Sequence, residues 1–210
     1  AFAIFALSFV LRPIGAVVWG AWGDRYGRRW ALSWSILIMS GSTFLIGVLP
    51  GYAAIGILAP LALLLLRMIQ GFSASGEYAG AGTFLAEYAP PRQRGLYTSL
   101  VPASTAAGLL FGNVMVMTLR GFLDEADMHS WGWRIPFLLA GPLGLIGRYI
   151  RIHLEDSPIF NEMSQKAEKK SKRRVPLKTL LSVHRKRVAI TFGVACLNAV
   201  AFYLLLTYMP

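Results

Sequence analysis

The stretch Gly20 to Trp30, GAWGDRYGRRW, sets four charged residues, Asp24, Arg25, Arg28 and Arg29, between two long apolar runs. Its reading depends on the rest of the chain. Over 210 residues, 55% are hydrophobic, 15% are charged and the mean hydropathy is +0.53. That balance is too apolar for an ordinary soluble domain and points to a protein embedded in a bilayer. The chain begins at Ala1 inside an apolar run and stops at Pro210 at the end of another, so the expectation is a piece of a longer polytopic protein.

A hydrocarbon core about 30 Å thick needs roughly 20 mostly apolar helical residues. Six stretches qualify: Ala1 to Trp22, Trp30 to Leu49, Ala53 to Tyr88, Leu96 to Leu119, Ile135 to Ile150 and Val188 to Pro210. None shows the short alternating pattern of a membrane barrel. The predicted fold is all-α and integral to the membrane, with six transmembrane helices. Short loops rich in Lys and Arg stay in the cytoplasm. Of the 21 basic residues, 17 fall in residues 23–29, 89–95 and the stretch from Arg148 to Arg187. These segments, with 151–187 as a linker, are therefore predicted to be cytoplasmic.

The division expected is a bundle over 1–150, a basic linker over 151–187 and the first helix of a second bundle over 188–210. A net charge of +11 suggests nucleic acid if spread over a soluble surface. Beside a bilayer, the basic loops instead suit anionic lipid headgroups, at about 1 kcal/mol per side chain. The single cysteine, Cys196, excludes an internal disulfide. The acidic group Asp124, Glu125, Asp127 and His129 lacks dedicated ligand spacing and reads as a solvated loop, so no metal is expected. Gly76/Gly80 and Gly108/Gly112 have the small-xxx-small spacing of closely packed membrane helices, while Pro13, Pro102 and Pro142 are candidate kinks.

With this topology, Gly20, Asp24, Arg25, Gly27, Arg28 and Arg29 form a GxxxDRxGRR pattern that resembles the signature loop between the second and third helices of the major facilitator superfamily. The resemblance extends along the chain. Arg67-Met-Ile-Gln70-Gly71, Ser75-Gly76-Glu77-Tyr78, Ala86-Glu87-Tyr88-Ala89-Pro90 and Arg92-Gln-Arg94-Gly95 resemble the fourth helix and following loop of its metabolite:proton symporters. Arg12-Pro13, WGWRIPF (131–137), HLEDSPIF (153–160) and LLTYMP (205–210) fit the same family. GFSASGEYAGA and YLLLTYMP look closest to proline/glycine-betaine transporters. That family's fourth helix often has paired glycines before its Glu, where this chain has Ser75-Gly76.

The resemblance implies the second to seventh helices of a twelve-helix fold, and proton-coupled symport of a small organic solute by alternating access. The expected cargo is a compatible solute such as proline or betaine. Relatives carrying α-ketoglutarate, citrate or shikimate share most of these motifs. It also implies a plasma-membrane location, the remaining helices as partners, protons as the coupling ion and no other cofactor.

Charged groups inside the bilayer are expensive and face a cavity or a partner. Glu77, ten residues from Glu87, lies about 15 Å inward at helical rise and is the first candidate for the proton-coupling carboxylate. The competing reading is a permanently paired structural carboxylate. Arg12 and Arg67 can grip a substrate carboxylate through two parallel hydrogen bonds, or can neutralise a buried acid. Gln70, Tyr78, Asn113, Asn198 and Tyr203 add polar or aromatic groups. A tyrosine face would suit a quaternary ammonium, although tyrosines near helix ends more commonly anchor at the interface. The signature residues, with Glu87, Arg92 and Arg94, are expected to form a conformational latch, and the competing reading is a purely topogenic basic loop. Gly20 and Gly27 are expected to permit the close approach and the tight turn it needs.

Two other classes compete. An embedded enzyme needs convergent catalytic groups, and His129, His153 and His184 all lie in loop or interfacial stretches. A non-transporting sensor or scaffold would retain the fold without turnover. The chain has no P-loop for ATP-driven transport, and LVPASTAAGLLFG lacks the GxxxGP pattern of drug/proton antiporters.

Overall fold

A computed structural model describes residues 2–154 and 185–204, with the side chains of 2–10 and 202–203 outside that description. The chain groups into two compact units, Ala1–Met163 and Ser164–Pro210. The first carries α1 (Phe2–Tyr26), α2 (Arg28–Val48), the single turn α3 (Tyr52–Ile55), α4 (Leu58–Tyr88) and α5 (Arg94–Phe122). After the short α6 (Glu125–Asp127) and a π-helical turn at Met128–Gly132, it ends in α7 (Arg134–His153). The described element of the second unit is α8 (Arg185–Tyr203). Most of the predicted linker, HLEDSPIF beyond Leu154 and the LLTYMP terminus lie outside the described residues.

By length and composition α2, α4, α5 and α7 can each cross a bilayer. α1 and α8, of 25 and 19 residues, occupy the first and last predicted spans. No strand occurs among the described residues. The fold is the all-α membrane architecture that the apolar runs predict. Pro13, Pro102 and Pro142 lie within α1, α5 and α7 without ending them.

Helix ends differ from the hydropathy reading in two ways: the predicted run Ala53 to Tyr88 breaks after α3, where Gly56 has φ 55, so that α4 begins at Leu58, and elsewhere polar residues extend a helix beyond its apolar run. α1 runs on through Asp24 and Arg25 to Tyr26, and α2 resumes at Arg28, so the predicted loop 23–29 contracts to a junction at Gly27. Apolarity stops at Trp22, but backbone hydrogen bonding does not need apolar side chains. Gly27 has φ 103, a left-handed conformation that a Cβ would strain. Across this junction Trp22 packs edge-on against Trp30 at 6.2 Å, and Tyr26 lies 5.0 Å from Trp30.

α2 packs against both α7 and α4, and α1 packs against α4. Lipid offers no hydrophobic drive between helices, so close van der Waals contact must hold them together. On α7, Gly141, Gly144 and Gly147 recur every third residue and receive Phe44, Ser40 and Ile36 of α2. In the α1–α4 pair, Gly76 receives Trp19, which is only 3% exposed, and Gly15 meets Phe72 and Ser75. Here the Ser75-Gly76 pair has a specific use: the Ser75 hydroxyl donates to the Phe72 carbonyl at 2.7 Å beside Gly15, leaving Gly76 for the indole. Gly80 receives Leu32, whereas Gly108 and Gly112 meet nothing within 4 Å among the described residues. No residue of α5 is buried.

Two arginines cap the antiparallel α2–α7 pair reciprocally. Arg134, opening α7, donates to the Gly47 and Leu49 carbonyls at the end of α2 at 2.8 and 3.0 Å. Arg29, near the start of α2, donates to the Leu154 carbonyl at 3.2 Å and the Ile152 carbonyl at 3.4 Å at the end of α7. Terminal carbonyls without intrahelical partners and the negative end of each helix dipole are satisfied together. Arg134→Ala is expected to lower stability by about 1 kcal/mol, read as a lower midpoint in thermal unfolding of the detergent-purified protein.

Candidate functional site

Antiparallel α2 and α4 meet along a seam with three polar rungs. At one end, the Gln70 amide donates to the Thr43 hydroxyl at 2.7 Å, and Arg67 donates to the Gln70 amide oxygen at 3.0 Å. Arg67 and Gln70 are thus tied to each other and to α2. At the Gly27 end, Arg28 bridges Glu87 at 3.2 Å and Asp24 at 3.5 Å. Glu87 and Arg28 are mostly covered, at 15% and 23% side-chain exposure, whereas Asp24 is 60% exposed. The Arg28–Glu87 contact therefore carries most of that rung, because an exposed pair contributes little.

Between these rungs sits Glu77. The Arg151 guanidinium reaches it from α7, pairing Nη2 with Oε1, while Nη1 donates to the Leu32 carbonyl of α2 at 2.8 Å. The other carboxylate oxygen lies 3.3 Å from the Ser35 hydroxyl, itself 3.1 Å from the Leu32 carbonyl. Glu77 and Arg151 are about four-fifths covered, and Ser35 is 1% exposed. One acid on α4, one cation on α7 and a hydroxyl and carbonyl on α2 thus converge within the bundle. A buried pair is costly to break by removing one partner, at about 3–5 kcal/mol.

This cluster forms part of the wall of a cavity of about 840 Å³ between α4 and α5. Arg12, Glu77, Tyr78 and Arg151 line it, with Ser104 and Thr105 from α5. The space exists because α5 leans only lightly on the bundle. Its charged lining sits opposite hydroxyls and apolar side chains, the mixed chemistry suited to a small polar organic molecule.

Of the residues predicted for substrate and proton, the structure brings Arg12, Glu77 and Tyr78 to one cavity. Arg67 and Gln70 stand apart in the rung with Thr43. Asn113 is exposed on α5, and Asn198 is exposed on α8 in the second unit. Tyr203 ends α8, and its side chain lies outside the description. In the latch group, Asp24, Arg28 and Glu87 meet, Arg29 caps α7, and Arg25 lies over the neighbouring Tyr26 ring at 5.2 Å. Arg92, in the turn between α4 and α5, and Arg94, the first residue of α5, are both exposed. A Cβ at Gly20 would meet nothing within 4 Å among the described residues; the close contact falls at Gly23, where it would lie 3.7 Å from the Ala31 Cβ.

Arg151 and Ser35 were not candidates from sequence. Arg151 lies in the basic stretch counted for topology, but α7 continues to His153 and turns this arginine into the bundle. A helical reading continued past Ile150 places Gly144, Gly147 and Arg151 at three- and four-residue spacing on one face, a signal that hydropathy alone omits.

Comparisons with known proteins agree with this architecture. The family model described as Major Facilitator Superfamily matches residues 1–210. The glycine betaine/proline/ectoine/pipecolic acid transporter OusA of Dickeya dadantii is 44% identical over 216 residues, covering 100% of this chain and 43% of the relative. A proline/betaine transporter of Salmonella typhimurium is 42% identical, with 100% and 43% covered. The inner membrane metabolite transport protein YhjE of Escherichia coli is also 42% identical, with 98% and 46% covered. Among solved structures, the proton:xylose symporter XylE superposes with a TM-score of 0.68 at 19% identity, over 78% of this chain and 36% of that one. An inward-open form from E. coli gives 0.67 at 20%, over 90% and 45%. The chain thus spans less than half the length of the relatives it matches.

Proposed function

Because this chain belongs to the Major Facilitator Superfamily, we propose that it forms part of a secondary active transporter that couples proton entry to uptake of a small organic solute. The cargo on this reading is a compatible solute of the proline or betaine type, carried across the plasma membrane by alternating access. The predicted cytoplasmic placement of the Gly27 junction, the α4–α5 turn and the linker belongs to the same proposal, as does the absence of any enzymatic step. The observation that carries it is the Glu77–Arg151 pair in the cavity wall: an acid that a proton can neutralise, facing space large enough for such a solute. The names of the relatives support the solute class.

Glu77 is the proton site and Arg12 and Tyr78 are solute contacts. Arg28, Glu87 and Asp24 latch one conformation, because their ties join α1, α2 and α4 at one end and must loosen for that end to open. A proton drives transport only if the two states of the alternation bind it with different affinity.

The test is uptake by the whole transporter in proteoliposomes, using radiolabelled betaine, proline, α-ketoglutarate, citrate and shikimate with and without an inward proton gradient. Gradient-dependent accumulation of betaine or proline above the dicarboxylates and shikimate is expected. Accumulation of citrate or α-ketoglutarate instead would move the cargo to carboxylate metabolites. No uptake of any of the five by correctly folded protein would favour a sensor or scaffold.

A further inference from the structure

We infer that Arg151 is the residue that recognises the cargo's carboxylate, and that Glu77 occupies its place until a proton arrives. This deepens the symporter reading and rests on it. The geometry gives the guanidinium two separate attachments. Nη1 is fixed to the Leu32 backbone carbonyl, an anchor that no protonation event removes, whereas Nη2 lies on the Glu77 carboxylate. Neutralising Glu77 takes away the counter-charge and leaves the anchor. A positive guanidinium edge is then held in the wall of the 840 Å³ cavity, able to accept a second carboxylate in the first one's position.

Ser35 makes the neutral state of Glu77 equally well bonded. A hydroxyl has one proton to donate, yet Ser35 Oγ stands within reach of two acceptors, the Leu32 carbonyl at 3.1 Å and Glu77 Oε2 at 3.3 Å. With Glu77 ionised, only one can receive that proton. With Glu77 protonated, its own O–H donates to Ser35 Oγ while Ser35 donates to Leu32, and every group in the chain has a partner. Both charge states of the acid therefore keep a hydrogen bond to Ser35, so the neutral acid can release Nη2 while staying tied to α2.

The other ionisable groups around the pair do not duplicate this role. Arg12 faces the same cavity from α1, Tyr78 from α4, and Arg29 of α2 shares a smaller adjoining cavity with Arg151 while capping α7. Arg148 of α7 is turned onto the Trp34 ring at 4.8 Å, and α5 contributes the Ser104 and Thr105 hydroxyls to the lining. Among these described groups, Arg151 combines a fixed anchor, an exchangeable carboxylate partner and access to the cavity.

The substrate class follows. The cargo must carry a carboxylate, and its binding must draw a proton onto Glu77, since linkage makes the two affinities rise together. In the purified whole transporter, proline is expected to bind at least 100-fold more tightly than prolinamide, with affinity falling as pH rises because ionised Glu77 reclaims the guanidinium. Adding proline to weakly buffered protein should consume protons. In Glu77→Gln, proline binding becomes independent of pH and proton uptake disappears.

The double variant Glu77→Gln/Arg151→Gln leaves no unpaired buried charge. It should fold, as judged by monodispersity and thermal unfolding, and lose the preference for proline over prolinamide. An Arg12→Gln variant, altered at a solute contact, should bind proline and prolinamide more weakly alike and so keep that preference. If the double variant folds and still prefers the carboxylate, or if Arg12→Gln abolishes the preference, Arg151 is not the recognition residue. Proton-driven accumulation of prolinamide would overturn the inference while leaving the symporter intact; a total lack of proton-driven uptake would instead remove the symporter reading itself.

Discussion

Glu77→Gln is expected to abolish proton-driven accumulation in the whole transporter while preserving exchange of labelled for unlabelled solute. Moving one charge through 100 mV supplies about 2.3 kcal/mol, which corresponds to about a 50-fold solute gradient. The variant loses that factor, so internal and external solute should equalise. Gln keeps the shape and hydrogen-bonding reach of the side chain but can neither take up nor release a proton at this site. Its amide can still meet Ser35, so the α2–α4 seam retains its middle rung. Normal accumulation in this variant would remove Glu77 from coupling and restore the reading of a structural carboxylate; loss of both accumulation and exchange in a folded variant would make the pair a requirement for movement.

Glu77 was legible in the sequence because an acid within a long apolar run has few inexpensive explanations. Its partner was not, for a physical reason. Hydropathy ends the fifth span at Ile150, and the next arginine joins a basic stretch whose charge reads as topogenic. The backbone has no such boundary: α7 continues to His153, and Arg151 turns inward because the Leu32 carbonyl and Glu77 offer it a charge-assisted site. The Gly27 junction shows the same effect, with charged residues carrying α1 four residues past its apolar run and starting α2 two residues before its own. Spans read from hydropathy locate the bilayer; they do not locate the helix ends, and here Arg151, Arg28, Asp24 and Glu87 lie at those ends while Glu77 and Arg12 lie within their helices.

The same limit explains the arginines that join α2 and α7. Arg29 belongs to the signature pattern and Arg134 to WGWR, and neither spacing says that each would cap the other's helix. That pairing depends on how closely the two helices approach, which the glycines of α7 decide. The pairs Gly76/Gly80 and Gly108/Gly112 have identical spacing, yet only the first meets another helix among the described residues. Spacing alone cannot distinguish them, because a small residue permits contact without supplying the partner.

Gly144 is therefore the position at which a single methyl group should do most damage. A Cβ there would overlap Ser40 Oγ and also Ser40 Cβ, whose position the backbone fixes, so rotation of a flexible side-chain tip cannot relieve the clash. Gly144→Val must push α7 away from α2. Overpacking alone costs about 1–3 kcal/mol, and the shift also pulls Arg134 from the Gly47 and Leu49 carbonyls, Arg29 from Leu154, and Arg151 from Leu32. Each lost cap adds several tenths of a kcal/mol or more. The total should exceed about 3 kcal/mol, visible as aggregation during purification or a large fall in the unfolding midpoint. Gly41→Ala supplies the contrast on the same pair of helices: its Cβ meets nothing within 4 Å among the described residues, and replacing a mid-helix glycine should stabilise by about 0.5–1 kcal/mol. If the two variants melted alike, close α2–α7 packing would not be what holds the Arg151 anchor beside Glu77. In that case the polar ties themselves, the Arg134 and Arg29 caps and the Glu77–Arg151 pair, would have to hold the carboxylate-exchange geometry.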